Sequence, residues 1–217
     1  MSQLEAPDLY HRWYYEQGVW ERVRFLGVPC LKSVSDMWNY QELLTELRPG
    51  LVVEFGTRHG GSAMYFSTIV RALGLRAQVF SVDIEPQSLD TRARSYPGIE
   101  FWVGSSTAPE VAARIAQLRK EYPGPMFAIL DSDHRCDHVL AELRLLRPLT
   151  VAGDYVVVED GNINGHPVLP NWGPGPWEAI DAYEAEHPGD YLRDEASEAR
   201  FGFTFAPRGF LRRTEGL

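Results

Sequence analysis

The sequence predicts an α/β fold with a mostly parallel sheet, and three observations support this class. Five short apolar segments alternate with segments of helical periodicity about 10–15 residues long, which is typical of βαβ units. A length of 217 residues, with 44% hydrophobic and 24% charged residues, suits one globular domain. The formal net charge of −9 argues against nucleic acid as the main partner, because phosphate binding needs clustered Lys and Arg.

The hydrophobic pattern predicts the elements in order along the chain. Asp36 is the predicted N-cap of a first helix that Pro49-Gly50 ends. Two segments, 201–205 and 209–211, are predicted to form a closing antiparallel hairpin. The other predicted strands are 51–55, 78–83, 99–103, 127–131 and 155–159, and the predicted helices are 36–48, 61–73, 108–121, 134–146 and 177–186.

Two segments lie outside this alternation and divide the chain. Residues 1–35 carry Tyr10, Trp13 and Tyr14 at helical spacing, so they are predicted to be a helical segment that packs on the body or acts as a lid or dimer contact. Residues 161–176 contain four Gly and four Pro, which predicts an ordered substrate loop. The predicted organisation is therefore an N-terminal segment, 1–35, followed by a catalytic domain, 36–217.

The chain carries no pattern for export or membrane insertion. Its first residues lack the basic and apolar regions of a secretion signal, and no apolar run approaches the roughly 18 residues of a membrane span. Cys30 and Cys136 have no metal-type spacing and are predicted to be free thiols of a reducing compartment. We therefore expect a cytoplasmic protein without a membrane partner.

The residues that end the strands are the candidates for function, because ligands of parallel sheets bind beyond the carboxyl ends of the strands. The acid-x-Gly-x-x-x-Gly pattern from Glu54 to Gly60 is typical of S-adenosylmethionine (SAM) sites, whereas dinucleotide sites favour Gly-x-Gly-x-x-Gly. Asp83 is placed to accept ribose hydroxyls, and Ser105 and Ser106 either contact adenine or cap a helix. The predicted cofactor-binding residues are Glu54, Gly56, Thr57, Arg58, Gly60, Gly61, Ser62, Asp83, Ser105, Ser106 and Asp131.

Carboxylates end two further strands. Asp131 ends the fourth predicted strand, and Glu159 and Asp160 end the fifth. If the two strands are neighbours, three like charges converge, which is unfavourable unless a cation or protons neutralise them. Carboxylate oxygens suit Mg²⁺, so Asp131, Glu159 and Asp160 are the predicted metal ligands.

His134 is the predicted general base. It lies three residues after Asp131, and an imidazole can be neutral near physiological pH and remove a proton from a hydroxyl. Two alternatives stay open: His134 and His138 have the spacing of a helical zinc pair, and Asp133 is either a fourth metal ligand or a helix cap.

Four motifs together resemble the cephalosporin hydroxylase family of class I SAM-dependent methyltransferases. They are Glu-Phe-Gly-Thr-Arg-His-Gly-Gly-Ser-Ala (54–63), Leu-Asp-Ser-Asp-His (130–134), His-Val-Leu-Ala-Glu-Leu (138–143) and Val-Glu-Asp-Gly (158–161). Asn-Gly-His-Pro-Val (164–168) and Gly-Pro-Gly-Pro (173–176) resemble the members that methylate sugars, including rhamnosyl and macrolide-sugar O-methyltransferases. The resemblance covers residues 36–213.

The resemblance implies a three-layer Rossmann-like fold, whose seven-stranded, mostly parallel sheet ends in a reversed hairpin. It also implies SAM over Glu54, Gly56, Thr57, Asp83 and the 104–106 turn, a metal on Asp131, Glu159 and Asp160, and His134 as the base. More distant catechol-type enzymes have Lys at the position of His134.

The predicted function is Mg²⁺-dependent transfer of the SAM methyl group to a hydroxyl of a small molecule. The preferred acceptor is a sugar or glycosylated natural product of bacterial secondary metabolism. Alternatives are a catechol-type O-methyltransferase, a SAM-binding accessory protein of a hydroxylase, and an NAD-dependent oxidoreductase. The expected partner is the hydroxyl acceptor, and assembly into a homo-oligomer stays open.

Overall fold

The computed structural model describes residues 6–216, in which strands and helices alternate through the middle of the chain. The strands are β1 (Arg24–Phe25), β2 (Val28–Pro29), β3 (Leu51–Phe55), β4 (Gln78–Asp83), β5 (Ile99–Val103), β6 (Met126–Leu130), β7 (Tyr155–Val158), β8 (Tyr191–Arg193) and β9 (Phe210–Arg213). The helices are α1 (Ala6–Glu16), α2 (Val34–Leu47), α3 (Gly61–Ala72), α4 (Thr91–Arg94), α5 (Pro109–Glu121), α6 (Cys136–Leu146), α7 (Pro176–Glu186) and α8 (Glu195–Ala199). No helix within residues 6–216 is long and apolar enough to cross a membrane.

Seven strands form one sheet in the order β5-β4-β3-β6-β7-β9-β8. The first five are parallel, and β9 runs antiparallel to both β7 and β8. The chain builds the sheet outward in one direction from β3 to β5 and in the other from β6, so the strand order reverses between β3 and β6. A crevice forms at such a reversal, beyond the carboxyl ends of the strands.

Helices cover both faces of this sheet, which confirms the predicted three-layer architecture. Because side chains alternate along a strand, Leu51, Val53 and Phe55 of β3 pack in the core under α5, α6 and α7. Val52 points to the opposite core, under α2 and α3. Both cores are continuous and apolar, and β3 and β6 are buried along their whole lengths.

The predicted C-terminal hairpin with a reversed strand is confirmed, but the predicted position of one of its two strands was wrong. The strand beside β9 is β8, whereas residues 201–205 form no strand. The alternating aromatics there pack on α1 instead of pairing in the sheet. The Phe203 ring lies 5.4 Å from that of Tyr10 and 4.8 Å from that of His11, and the Phe205 ring lies 5.5 Å from that of Tyr15.

The prediction that Asp36 caps a helix was also wrong. Helix α2 begins two residues earlier, with Ser33 at its N-cap, and Asp36 is buried in its first turn. Its carboxylate accepts hydrogen bonds from Thr204 Oγ1 at 2.5 Å and from the Phe205 amide at 2.8 Å. Burial raises the pKa of Asp36 to about 7. Asp36 therefore fastens the segment 204–205 to α2.

Candidate active site

A cavity of about 650 Å³ opens at the carboxyl ends of β3, β4, β6 and β7. The site residues that the sequence predicted and that line it are Gly56, Thr57, Arg58, Ser62, Asp83, Asp131, His134, Glu159 and Asp160. Further side chains come from outside the sheet: Tyr15 and Trp20 from the N-terminal segment, and Ile163 and Trp172 from the long loop after β7. The cavity is thus lined by a polar floor at the strand ends and by aromatic side chains from two other segments.

The turn after β3 is shaped by Gly56, whose φ is +99°. A Cβ on Gly56 would lie 2.0 Å from the carbonyl oxygen of Asp131, so glycine lets β3 and the loop after β6 approach closely. Asp83 then fixes the other side of the turn, because its two carboxylate oxygens accept from the amides of Arg58 at 2.7 Å and Glu85 at 2.8 Å.

Glu54 lies beneath this turn and does not line the cavity. It is fully buried, and Ser81 Oγ donates to its carboxylate over 2.6 Å. Ser81 Oγ in turn lies 2.6 Å from Thr57 Oγ1. Burial raises the pKa of Glu54 to about 7. Glu54 is therefore linked through Ser81 to Thr57, which lines the cavity.

Four other predicted cofactor residues also lie away from this cavity. Gly60 and Gly61 form the start of α3, and a Cβ on Gly61 would lie 2.3 Å from the carbonyl oxygen of Pro29, so this glycine serves packing against β2. Ser105 Oγ pairs with Thr107 Oγ1 at 2.9 Å, and Ser106 is buried. A direct cofactor contact of these residues stays a prediction.

The predicted convergence of acids at the ends of β6 and β7 is present, because the two strands are neighbours. One potential ligand atom from each of Asp131, His134 and Asp160 lies within 4.8 Å of the other two. His134 Nδ1 lies 3.3 Å from Asp160 Oδ2. His134 lies in the loop before α6 rather than in the helix, which begins at Cys136.

A lysine that sequence reasoning missed lies inside the acidic cluster. Lys32 Nζ is 2.6 Å from Asp131 Oδ2 and 2.7 Å from Glu159 Oε1, and the residue is 1% exposed. Tyr40 also donates to Glu159 Oε1, over 2.9 Å. Glu159 is therefore held by Lys32 and Tyr40 and lies outside the group of three formed by Asp131, His134 and Asp160.

The charges of the cluster act on one another. Burial alone would lower the pKa of Lys32, but the carboxylates of Asp131 and Glu159 raise it well above its usual value, so Lys32 stays an ammonium. Burial also lowers the pKa of His134, and the carboxylates, Asp160 foremost, outweigh it and raise the pKa.

Two residues left open by the sequence have partners elsewhere. His138 Nε2 lies 3.0 Å from Ser106 Oγ and 3.3 Å from Glu142 Oε1, and His138 is not part of the metal-ligating group found within residues 6–216. Asp133 forms an ion pair with Arg135 at 2.5 Å. The geometry therefore supports neither a zinc site at His134 and His138 nor Asp133 as a fourth metal ligand.

The loop between β7 and α7 is ordered around Glu178. This carboxylate accepts from the Gly175 amide at 2.7 Å and from Asn164 Nδ2 at 2.8 Å, and it lies 3.1 Å from His166 Nε2. Burial would raise the pKa of Glu178, but these hydrogen bonds lower it to about 2. The loop thereby presents Trp172 to the cavity.

The fold is similar to that of solved methyltransferases. CmcI in an apo structure aligns with a TM-score of 0.71 and 22% identity, covering 89% of this chain and 77% of CmcI. CmcI with Mg and SAM aligns with a TM-score of 0.67 and 20% identity, over the same shares. The chain therefore has the fold of the class I methyltransferases, with a mostly parallel seven-stranded sheet and one reversed strand.

Sequence comparison identifies the family within this class. The family model described as Rhamnosyl O-methyltransferase/CmcI matches residues 17–214. A rhamnosyl O-methyltransferase of Mycobacterium tuberculosis is 59% identical over 206 residues, which are 95% of this chain and 84% of the relative. The chain belongs to the Rhamnosyl O-methyltransferase/CmcI family and is a SAM-dependent O-methyltransferase, which confirms the family and the enzyme class that the sequence predicted.

Proposed function

We propose that the chain transfers the SAM methyl group to a hydroxyl of a rhamnosyl residue, or of a closely related sugar, on a glycosylated natural product. The observation that carries this proposal is the 59% identity, over 95% of the chain, to a relative named rhamnosyl O-methyltransferase. A sugar is accordingly preferred to a catechol as the acceptor. This reaction would belong to bacterial secondary metabolism, as predicted from the sequence.

The cavity wall supports a sugar acceptor. Tyr15, Trp20 and Trp172 bring aromatic side chains to the cavity. The electron-rich face of an aromatic ring packs favourably on the C–H face of a pyranose, while the polar floor leaves partners for the hydroxyls. The N-terminal segment, 1–35, acts in this proposal as a lid and the loop 161–176 as the acceptor loop.

The residues of the floor fit a magnesium ion. Asp131 and Asp160 offer oxygen donors close together, with His134 beside them and Glu159 next in the chain. Such a hard donor set suits Mg²⁺ with water or substrate completing the shell, and CmcI has been solved with Mg and SAM. A bound Mg²⁺ would lower the pKa of an acceptor hydroxyl and neutralise part of the carboxylate charge.

His134 acts as the general base through Nε2. Its Nδ1 faces Asp160 Oδ2 at 3.3 Å, and the negative carboxylate favours a proton on Nδ1, which leaves the lone pair on Nε2. This pairing orients the ring and stabilises the imidazolium. His134 Nε2 would take the hydroxyl proton, and the carboxylates of the floor would hold the acceptor in place. A bound SAM would supply the methyl group and leave as S-adenosylhomocysteine, which keeps the electron pair of the broken carbon–sulfur bond.

Asp83 and the turn after β3 hold the cofactor in this proposal. Gly56 and Thr57 leave room at the strand end, and the remaining lone pairs of Asp83 accept the ribose hydroxyls. A second recess of about 290 Å³ shares Asp83 with the main cavity and continues past Trp102 and Val103, where an adenine would lie.

The test is an acceptor panel with the purified chain, SAM and Mg²⁺. An aryl rhamnoside, the same aryl glucoside and a catechol are compared by release of S-adenosylhomocysteine, and the methylated position is mapped by NMR. We expect turnover of the rhamnoside and little of the other two. Methylation of the catechol alone would reject the sugar proposal, and the absence of turnover with every glycoside and the catechol would reject both.

A further inference from the structure

Lys32 lies where the N-terminal segment meets the acidic cluster. It follows β2 and precedes α2, and its side chain is 1% exposed. Its ammonium bridges Asp131 Oδ2 and Glu159 Oε1 at 2.6 and 2.7 Å. A buried ammonium is costly unless paired, and here both partners are carboxylates that the sequence predicts as metal ligands.

The bridge changes the charge that the floor presents to a cation. Asp131, Glu159 and Asp160 carry three formal negative charges, and Lys32 reduces this sum to two. Without Lys32, the carboxylates would repel one another. With it, the remaining charge equals that of one divalent ion.

We propose that Lys32 offsets carboxylate charge in the floor before metal binds and so matches that charge to a single divalent cation. The inference rests on the proposed magnesium site. Tyr40, which belongs to the core under α2 and α3, also holds Glu159, because its hydroxyl donates a hydrogen bond to Glu159 Oε1. The lysine pairs with Glu159 Oε1 and Asp131 Oδ2, which leaves the other oxygen of Asp131 and the carboxylate of Asp160 to the ion.

A lysine that only stabilised the fold would behave differently. Its loss would lower stability by the same amount with and without a cation. If a lysine offsets carboxylate charge in a cation site, a bound cation can compensate for the loss of that lysine. The stability of the lysine-free variant then depends more strongly on the metal than that of the wild type. The interaction between the substitution and the metal, rather than either effect alone, separates the two roles.

The experiment compares Lys32→Met with Lys120→Met in the full chain. Lys120 is the other lysine of the sequence and is exposed on α5, so the control makes the same chemical change away from the cavity. Thermal unfolding is followed with EDTA and with Mg²⁺. We expect Lys32→Met to lower Tm in EDTA and to gain a larger Mg²⁺-induced rise in Tm than the wild type, whereas Lys120→Met behaves as the wild type.

A second measurement uses Tb³⁺, whose luminescence is sensitised by nearby aromatic rings such as Tyr15, Trp20 and Trp172. Removing one positive charge favours a trivalent ion over a divalent one, so we expect roughly tenfold tighter Tb³⁺ binding by Lys32→Met and a smaller gain for Mg²⁺ in competition. Lys32→Arg keeps the charge and restores wild-type preference between the ions. If Lys32→Met fails to fold, Lys32→Gln is the second neutral variant for both measurements.

The outcomes are distinct for the two proposals. Equal loss of Tm with and without Mg²⁺, together with unchanged Tb³⁺ binding in the neutral variant, would overturn the role of Lys32. Failure of the wild type to bind Mg²⁺ or Tb³⁺ would instead reject the proposed magnesium site, and this result needs no variant.

Discussion

Replacing Gly56 by alanine perturbs the closest approach between two loops of the cavity. The added Cβ would lie 2.0 Å from the carbonyl oxygen of Asp131, 2.6 Å from its carbonyl carbon and 3.0 Å from the Ser132 amide nitrogen. All three atoms belong to the backbone, so no side chain can rotate away. The chain at residue 56 also has φ of +99°, which alanine rarely adopts.

The size of the effect follows from two separate costs. A non-glycine residue in a sparsely populated backbone region costs about 1–3 kcal/mol. Forcing extra volume into a packed site costs about 1–3 kcal/mol more. We therefore expect Gly56→Ala to lose about 2–6 kcal/mol of unfolding free energy, and to bind SAM at least about tenfold more weakly because the loop of Asp131 must move.

A matched variant isolates the collision from the backbone strain. Gly153 has φ of +94° but no atom within 4 Å of an added Cβ, and it lies in the turn before β7. Gly153→Ala therefore carries only the first cost, about 1–3 kcal/mol. Urea unfolding measures both variants, and calorimetry with SAM measures binding; Gly153→Ala should bind SAM as the wild type does.

A Gly56→Ala variant no less stable than Gly153→Ala would refute the predicted collision. That result would mean that the loop after β6 yields without cost, and that the close approach of Gly56 to Asp131 does not constrain the site.

Three further predictions concern catalysis, metal and pH. His134→Ala should keep SAM binding and lose turnover by about 10²–10⁴, and near-normal turnover in a steady-state assay would remove His134 as the base. EDTA should abolish S-adenosylhomocysteine release and Mg²⁺ restore it; full activity in chelator would reject the metal. Burial lowers the pKa of His11 to about 4, so stability should fall by up to about 3 kcal/mol as pH drops from 6.5 towards 4, because the unfolded chain binds the proton more readily. His11→Gln should flatten this decline in urea unfolding, and an equal decline in both proteins would contradict the assignment.

The sequence predicts the sheet and its functional edge well because their signals are local. The strands over 78–83 and 99–103 have the bounds that the apolar runs predict, and β3 matches as well. Asp131 and Asp160 meet because each lies within two residues of the end of a buried strand, and parallel neighbours end at the same edge. Local periodicity and the strand-end rule are enough for this part of the site.

The remaining features depend on contacts between distant parts of the chain. Phe203 and Phe205 alternate as in a strand, yet their rings pack on α1, and no local pattern distinguishes the two arrangements. Lys32 lies in the short connection between β2 and α2, and the residues beside it in the sequence do not reveal its role. One signal was available: Lys32 is one of two lysines among 21 basic residues, the others being arginine.

The bridge of Lys32 also has a consequence for the order of assembly. Its partners lie 99 and 127 residues further along the chain, so the lysine leaves the ribosome long before either carboxylate exists. Contacts of such long range form late, because the chain must close a large loop before they contribute. The floor of the site is therefore completed only after β6 and β7 have joined the sheet, and the earliest part of the chain to be made is among the last to reach its final position.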